Sequence, residues 1–214
     1  PLQANRLLSW SSMPNGITDP FPQNDSIKVD SLYAGLSGTY TIGGTTPNFP
    51  TFTAAVNTLR LAGVVGGVTF NVRNGTYTEQ IVLRPTAGVS AANTVTFQSE
   101  SGDSTGVVLT WSATTSDRNY TMQLFGADWF RIRKMTLRAT NTTYGRVVDL
   151  GYDAHYNVIE NNILQGVSVT NTDWRYTVLL SGDFRDSANV IQNNRILNGS
   201  YGLYYAGPTA GGIY

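Results

Sequence analysis

The feature that most constrains the fold of this chain is an internal repeat in its second half. The segment NVIENNIL at 157–164 recurs as NVIQNNRIL at 189–197. An earlier copy with fewer asparagines is FRIRKMTL at 130–137. A period of roughly 30 residues is typical of solenoid proteins, in which each repeat forms one coil that stacks on the previous coil.

A second strand-like segment recurs together with the first. Its copies are RVVDLG at 146–151, TVLLSG at 177–182 and GLYYAG at 202–207. Aligning their final glycines places Asp149 with Leu180 and Tyr205, and the spacing of the copies varies. Two strands per repeat predict coils whose strands pair in parallel, about 4.8 Å apart, with insertions confined to one loop per coil. The last repeat lacks its second strand, so we expect the natural chain to continue beyond Tyr214.

One segment near the start predicts an α-helix. Phe52, Ala55, Val56 and Leu59 occupy one helical face, between a plausible N-cap at 51 and a glycine at 63. The end of a solenoid needs such a cap, because its terminal strands carry unpaired backbone groups. The sequence therefore predicts an all-β protein: a right-handed parallel β-helix over 39–214 with a short N-terminal capping α-helix.

The segment 1–38 shows little periodicity and contains several turn signals. We interpret it as a lead-in or linker with a short strand near Ile27 to Leu32. The chain opens on Pro1 without a basic and apolar leader, so either a signal peptide has been removed or the sequence is an excerpt from a longer protein. The incomplete last repeat favours the excerpt.

Composition excludes several classes of partner. The net charge is zero and 13% of residues are charged, with no basic cluster, which argues against nucleic acid. Cysteine is absent, so disulfides and thiolate chemistry are excluded. No apolar stretch reaches the roughly 18 residues that a spanning helix needs, so we predict no membrane insertion.

Two parts of the chain resemble known families. From Tyr40 to about Glu100, the order TIG, FPTFTAAVNTL, VTFNVRNGTYTEQI and VTFQS is similar to the N-terminal coils of the pectin lyase-like superfamily, and of pectinesterases in particular. The phrases TYTEQIVL, TVTFQSESGDSTGVVLT, TYGRVVDL and NGSYGLYYAG resemble large β-helix surface proteins of gliding bacteria. This second resemblance implies a secreted or cell-surface protein exported by the type IX secretion system. The paired Asp, Gln and Arg of pectinesterases and the Asp cluster of polygalacturonases are not placed on this sequence.

The asparagines of the repeat are the first candidate site. Asn161, Asn162, Asn193 and Asn194 fit a structural ladder at a turn, where stacked amides bond to one another and tolerate left-handed backbone. The functional alternative is a row of amides that binds a ligand.

Acidic residues near equivalent turns are the second candidate. Asp153, Asp183 and Asp186, with Asp149 and the single histidine His155, could bind calcium through oxygen or perform acid–base chemistry. The alternative is a set of solvated turn carboxylates. We predict no cofactor other than this possible calcium ion, and no zinc site.

Aromatic residues crowd the second half and form the third candidate. Trp174, Tyr176, Tyr204 and Tyr205 are predicted to bind carbohydrate, because exposed rings can stack on sugar faces. The alternative is that these rings face the core or cover loops.

These features favour a non-catalytic stalk or adhesin-like module of a large exported protein, one that presents loops and aromatic rings to a polysaccharide or cell-surface glycan. A second hypothesis is the N-terminal part of a polysaccharide lyase, esterase or hydrolase. A third is a secretion substrate bound to its protein export machinery.

Overall fold

The computed structural model describes residues 5–11, 13, 16–18, 20–21, 26–182 and 185–205. In chain order the elements are β1 Asn5–Trp10, β2 Ser26–Leu32, β3 Leu36–Ile42, α1 Phe52–Ala62, β4 Val64–Val72, β5 Gly75–Thr78, β6 Ile81–Leu83, β7 Val95–Ser99, β8 Val107–Trp111, β9 Met122–Phe125, β10 Phe130–Arg133, β11 Thr136–Ala139, β12 Val148–Gly151, β13 Val158–Glu160, β14 Ile163–Gln165, a 3-10 helix Trp174–Tyr176, β15 Thr177–Ser181, β16 Val190–Gln192, β17 Arg195–Leu197 and β18 Tyr201–Tyr205.

The strands from β3 onwards form three parallel sheets that run along one axis. Sheet 1 has the order β3-β4-β7-β10-β13-β16, sheet 2 the order β5-β8-β11-β14-β17, and sheet 3 the order β6-β9-β12-β15-β18. Each coil of chain adds one strand to each sheet in turn. The predicted all-β parallel β-helix with a single short α-helix is therefore confirmed.

Pairing within sheet 1 follows the repeat that is visible in the sequence. Ile159 lies opposite Ile191, as the recurrence of NVI predicts, and Ile132 lies opposite Ile159. Below these strands Phe97 pairs with Ile132 and Phe70 with Phe97. The interval between partners varies from coil to coil because insertions lie in the connections and not in the strands.

The register of the last strand in sheet 3 differs from the register that the aligned glycines of the repeat predict. Leu180 pairs with Tyr204, and Tyr205 pairs with Ser181, so the predicted match of Leu180 with Tyr205 is wrong by a single position. Such a slip exchanges the two faces of a strand. The observed pairing places Leu203 opposite the buried Leu179, which keeps the apolar side chain on the inner face.

The predicted capping helix is present as α1. Thr51 is its N-cap, whose hydroxyl oxygen accepts a hydrogen bond from the Ala54 N–H at 3.1 Å, and Gly63 ends it with a φ of 66°. Phe52 packs edge-on against Tyr77, at 5.2 Å between ring centroids, and stacks on Phe97 at 6.0 Å. The helix thus packs its apolar face on the first coils.

The N-terminal segment contains more structure than a plain linker. Strands β1 and β2 pair antiparallel, with Trp10 opposite Ser26, and β2 coincides with the strand expected near Ile27 to Leu32. The first strand of the coils begins at Leu36, slightly before the boundary expected at 39. In the part of the chain that the structure describes, no helix has the length and apolar character needed to span a bilayer.

Candidate functional site

The outer face of sheet 3 carries a column of side chains, one from each coil. On the first four strands of this sheet the neighbouring residues are buried, so the residue between them points outward. Strand pairing aligns these outward residues along the axis. This outer column consists of Val82, Gln123, Asp149, Leu180 and Tyr204.

A polar cluster lies at the middle of the outer column and consists of Gln123, Arg146 and Asp149. The Arg146 Nη1 atom lies 3.2 Å from the Asp149 Oδ2 atom, and the Gln123 amide donates a hydrogen bond to the same oxygen at 3.2 Å. Arg146 is only 6% exposed, and its buried Nε and Nη2 groups have no hydrogen-bond partner in the part of the chain that the structure describes. A buried donor without a partner costs about 1–3 kcal/mol, which marks such groups as functional candidates.

Trp174 covers this polar cluster. Its ring lies over the Arg146 guanidinium, with 5.2 Å from the guanidinium carbon to the ring centroid, while 54% of the residue is exposed. A cation held against an aromatic face stabilises both groups. Trp174 therefore presents a fixed aromatic surface directly beside the unpaired donors of Arg146.

The loop that carries Trp174 is anchored at both of its sides. The Asp173 carboxylate caps the 3-10 helix by accepting hydrogen bonds from the Arg175 N–H at 2.8 Å and from Arg175 Nε at 2.9 Å. The Asn119 amide donates to the Arg175 carbonyl at 2.9 Å, and Asn119 Oδ1 accepts from the Arg146 N–H at 3.0 Å. The tryptophan loop is thus joined to the coil below it.

Burial controls the ionisation of the cluster. Loss of solvation raises the pKa of Asp149 above its ordinary value, although Arg146 and Gln123 oppose this effect. Loss of solvation also lowers the pKa of Arg146, against the attraction of Asp149. The ion pair is therefore formed at a desolvation cost, and a polar ligand that donates or accepts hydrogen bonds would reduce that cost.

We expect the cluster to make folding stability depend on pH. Because the pKa of Asp149 is raised on folding, the folded chain holds a proton that the unfolded chain has already released. This contribution to stability is present at low pH and is lost as the pH rises from the ordinary pKa of the carboxyl through its folded pKa, with a slope of up to about 1.4 kcal/mol per pH unit. Urea unfolding at a series of acidic to neutral pH values should show the slope in the wild type relative to Asp149→Asn. Identical pH profiles for the two proteins would contradict the raised pKa.

The four aromatic residues predicted from the sequence fall into different environments. Trp174 and Tyr204 lie on the outer side of sheet 3. Tyr176 is only 7% exposed, and its hydroxyl donates to the Thr142 carbonyl at 3.0 Å, so it offers no ring face to a sugar. Tyr205 lies on the inner side of the last strand, in register with Ser181, and its hydroxyl donates to the Asp186 carbonyl at 3.1 Å. The structure thus separates Tyr176 and Tyr205 from the outer face that Trp174 and Tyr204 share.

The predicted carboxylate site is not assembled among the described residues. Asp153 forms an exposed ion pair with Arg185, with 3.0 Å between Oδ1 and Nε. Asp186 is buried and accepts hydrogen bonds from the Ala154 N–H and the Ser181 hydroxyl, each at 2.9 Å. Asp183 lies outside the described residues, and within them no three histidine or acidic side chains are grouped to hold a metal ion.

The repeated asparagines make hydrogen bonds between coils. The Asn162 amide donates to Asn194 Oδ1 at 3.1 Å and to the Ile132 carbonyl at 2.8 Å, while its own oxygen accepts from the Met135 N–H at 3.1 Å. Asn161 and Asn193 have φ angles of 56° and 53° at the adjoining turn. The Asn162 side-chain amide is therefore used for hydrogen bonds within the fold.

The fold and the site together define a class of protein: a parallel β-helix whose candidate site lies on the outer face of one sheet. Solved structures that it resembles include pectin methylesterases. One from Aspergillus niger is 16% identical with a TM-score of 0.55, and the match covers 80% of this chain and 56% of that one. PemA from Erwinia chrysanthemi is 13% identical with a TM-score of 0.53, and the match covers 76% of this chain and 50% of that one.

These similarities establish the fold. This chain spans about half the length of the pectin methylesterases that it matches. No protein-family model and no curated protein matches the sequence.

The polar cluster as a unit is not among the sites predicted from the sequence. Asp149 is grouped there with more distant turn aspartates, and Gln123 and Arg146 are not candidates. The available signal was the alternation in MQLF and VDLG, which places one polar residue between two buried ones in each strand. Aligning these two strands puts Gln123 directly below Asp149.

Proposed function

We propose that this chain is a non-catalytic carbohydrate-binding module of a larger exported protein. The observation that carries the proposal is Trp174, an exposed ring held against Arg146 at the edge of the polar cluster. Sugar sites in proteins combine an aromatic surface, which packs against the C–H face of a ring, with a few fixed polar groups that bind hydroxyls.

The unpaired donors of Arg146 supply those fixed polar groups. Its Nε and Nη2 groups are buried and have no partner among the described residues, so a hydrogen bond to a ligand oxygen that reaches them gains more than it would in water. Tyr204 continues the outer column past Leu180 and extends the surface along the axis. The partner that fits this surface is a chain-like polysaccharide that lies along the stacked coils.

The arrangement of carboxylates supports binding over glycoside hydrolysis. Glycoside hydrolysis generally requires two carboxyl groups that flank the scissile bond. Asp149 accepts from two neighbours, and Asp186 is buried with both of its oxygens bonded inside the scaffold. The polar cluster therefore has one accessible carboxylate among the described residues.

Location and lineage are further parts of the proposal. The similar solved proteins are named as pectin methylesterases, which supports polysaccharide as the class of partner. A polysaccharide partner implies that the protein is secreted to the cell exterior. The resemblance to type IX substrates of gliding bacteria, and the interpretation as a substrate bound to export machinery, stay predictions from the sequence.

Trp174→Ala is expected to weaken polysaccharide binding by about tenfold or more, since central aromatic anchors contribute most of an interface's energy. Affinity electrophoresis against pectin, polygalacturonate, xylan and cellulose measures this change. Trp10→Ala is the matched control, because Trp10 is 69% exposed but lies on the β1–β2 ribbon.

The same polysaccharides are incubated with the wild type and assayed for reducing ends, unsaturated products and released methanol. No product is expected. Product that disappears in Asp149→Asn would replace the binding proposal with an enzymatic one. Equal losses of binding in Trp174→Ala and Trp10→Ala would contradict the assigned site.

A further inference from the structure

We propose a second, separate binding site, for a neutral pyranose oligosaccharide, in a cleft beside the start of α1. The cleft has a volume of about 540 Å³, within the range of about 300–1,000 Å³ typical of small-molecule sites. It lies where the chain leaves sheet 2, after β5 and β8, and its lining includes Thr53, Glu79, Gln80, Trp111, Thr115 and Arg118. None of these residues belongs to the polar cluster at Trp174.

Hydrogen bonds hold one wall of the cleft in place. The Glu79 carboxylate accepts from the N–H groups of Phe52 at 3.1 Å and Thr53 at 2.7 Å, and from the Thr53 hydroxyl at 2.5 Å. These N–H groups are free donors at the first turn of a helix, so the contacts satisfy both the helix end and the charge. Glu79 is thereby fixed, and much of its negative charge is compensated before any ligand binds.

The opposite wall is fixed through Gln80. Its amide nitrogen donates to the carbonyls of Arg118 at 2.8 Å and Tyr120 at 2.9 Å. Both amide protons are therefore used to hold the 112–121 loop, and the amide oxygen remains as an acceptor for a ligand hydroxyl. A cleft whose walls are already ordered loses little entropy when it binds a ligand.

The lining chemistry selects a neutral sugar. Trp111, at the end of β8, provides an aromatic surface against which the C–H face of a pyranose can pack. Threonine hydroxyls both donate and accept, as sugar hydroxyls do. Glu79 and Arg118 carry opposite formal charges, so the lining has no net charge to attract a uronate or phosphate.

Isothermal titration calorimetry with xylohexaose, cellohexaose and mannohexaose, and with hexagalacturonate as the acidic comparison, tests the site. We expect millimolar or tighter binding of at least one neutral hexasaccharide, and stronger binding of it than of hexagalacturonate. Trp111→Ala should weaken that binding at least tenfold, whereas Trp111→Phe should recover part of it. Trp10→Ala, on the β1–β2 ribbon, is the control and should leave it within twofold. Trp174→Ala is measured in parallel, so that any binding at the site on sheet 3 is recognised.

Circular dichroism and the unfolding midpoint show whether each variant remains folded, and Trp111→Phe keeps the test decisive if Trp111→Ala unfolds. Unchanged affinity in the Trp111 variants, preference for the acidic ligand, or no binding of any neutral hexasaccharide would overturn the proposal. A loss in Trp174→Ala alone would instead assign all binding to the site on sheet 3. The proposal for the cleft and the proposal for the site on sheet 3 are therefore tested separately.

Discussion

Phe97→Ala is expected to lower the free energy of unfolding by about 3–5 kcal/mol, the usual range for a fully buried phenylalanine. Phe97 is completely buried and lies between coils, stacked on Phe70 at 4.7 Å and facing Phe52 of the helix at 6.0 Å. The substitution opens a cavity that the close-packed coils on either side cannot fill without shifting strands. Equilibrium unfolding in urea measures the difference.

Val65→Ala provides the control for this prediction. Val65 belongs to the neighbouring strand β4 but is 72% exposed, so its truncation should change stability by no more than about 0.5 kcal/mol. If Phe97→Ala cost less than about 1 kcal/mol, the axial packing of aromatic rings between coils would be contradicted.

Asn162→Leu is expected to destabilise the fold by about 3 kcal/mol or more, although the two side chains have the same number of heavy atoms and the same branching, because two buried backbone groups lose hydrogen bonds. The Met135 N–H would lose the Asn162 oxygen as its acceptor, and the Ile132 carbonyl would lose the hydrogen bond from the Asn162 amide. The Asn194 oxygen would keep only the Asn162 N–H. Hydrogen exchange should report the same effect locally, as faster exchange of the Met135 amide.

A variant of the neighbouring residue, Asn161, distinguishes the contribution of the asparagine hydrogen bonds to stability from that of the adjoining turn. Asn161 is exposed and has a φ of 56°, which glycine adopts freely, so Asn161→Gly should change stability by only a few tenths of a kcal/mol. Similar losses in the two variants would show that the turn conformation, and not the hydrogen bonds between coils, stabilises this column.

The fold could be predicted because stacked coils repeat their pattern in the sequence. The pairing of Ile159 with Ile191 follows directly from the recurrence of NVI and NN, and α1 follows from its apolar face and its cap. Both signals are local or strictly periodic. The strand β1, in contrast, carries no such pattern, and every one of its residues is exposed in an antiparallel ribbon.

The candidate site was harder to predict because it depends on register and on irregular loops. Gln123 and Asp149 meet across an interval that is shorter than the one separating Ile159 from Ile191 in the visible repeat. Trp174 reaches Arg146 through a loop whose path no periodicity describes. In the last coil, a glycine alignment that was wrong by a single position placed Tyr205 where Tyr204 lies.

Chemical-shift mapping of the side chains at Trp174 tests the central claim, that a glycan binds on the outer face of sheet 3, most directly. With the polysaccharide fragment that binds best, we expect the largest changes at the Trp174 indole N–H, the Arg146 Nε–H and the Gln123 amide, with smaller ones at Tyr204. Saturating binding that leaves these signals unmoved would contradict the claim.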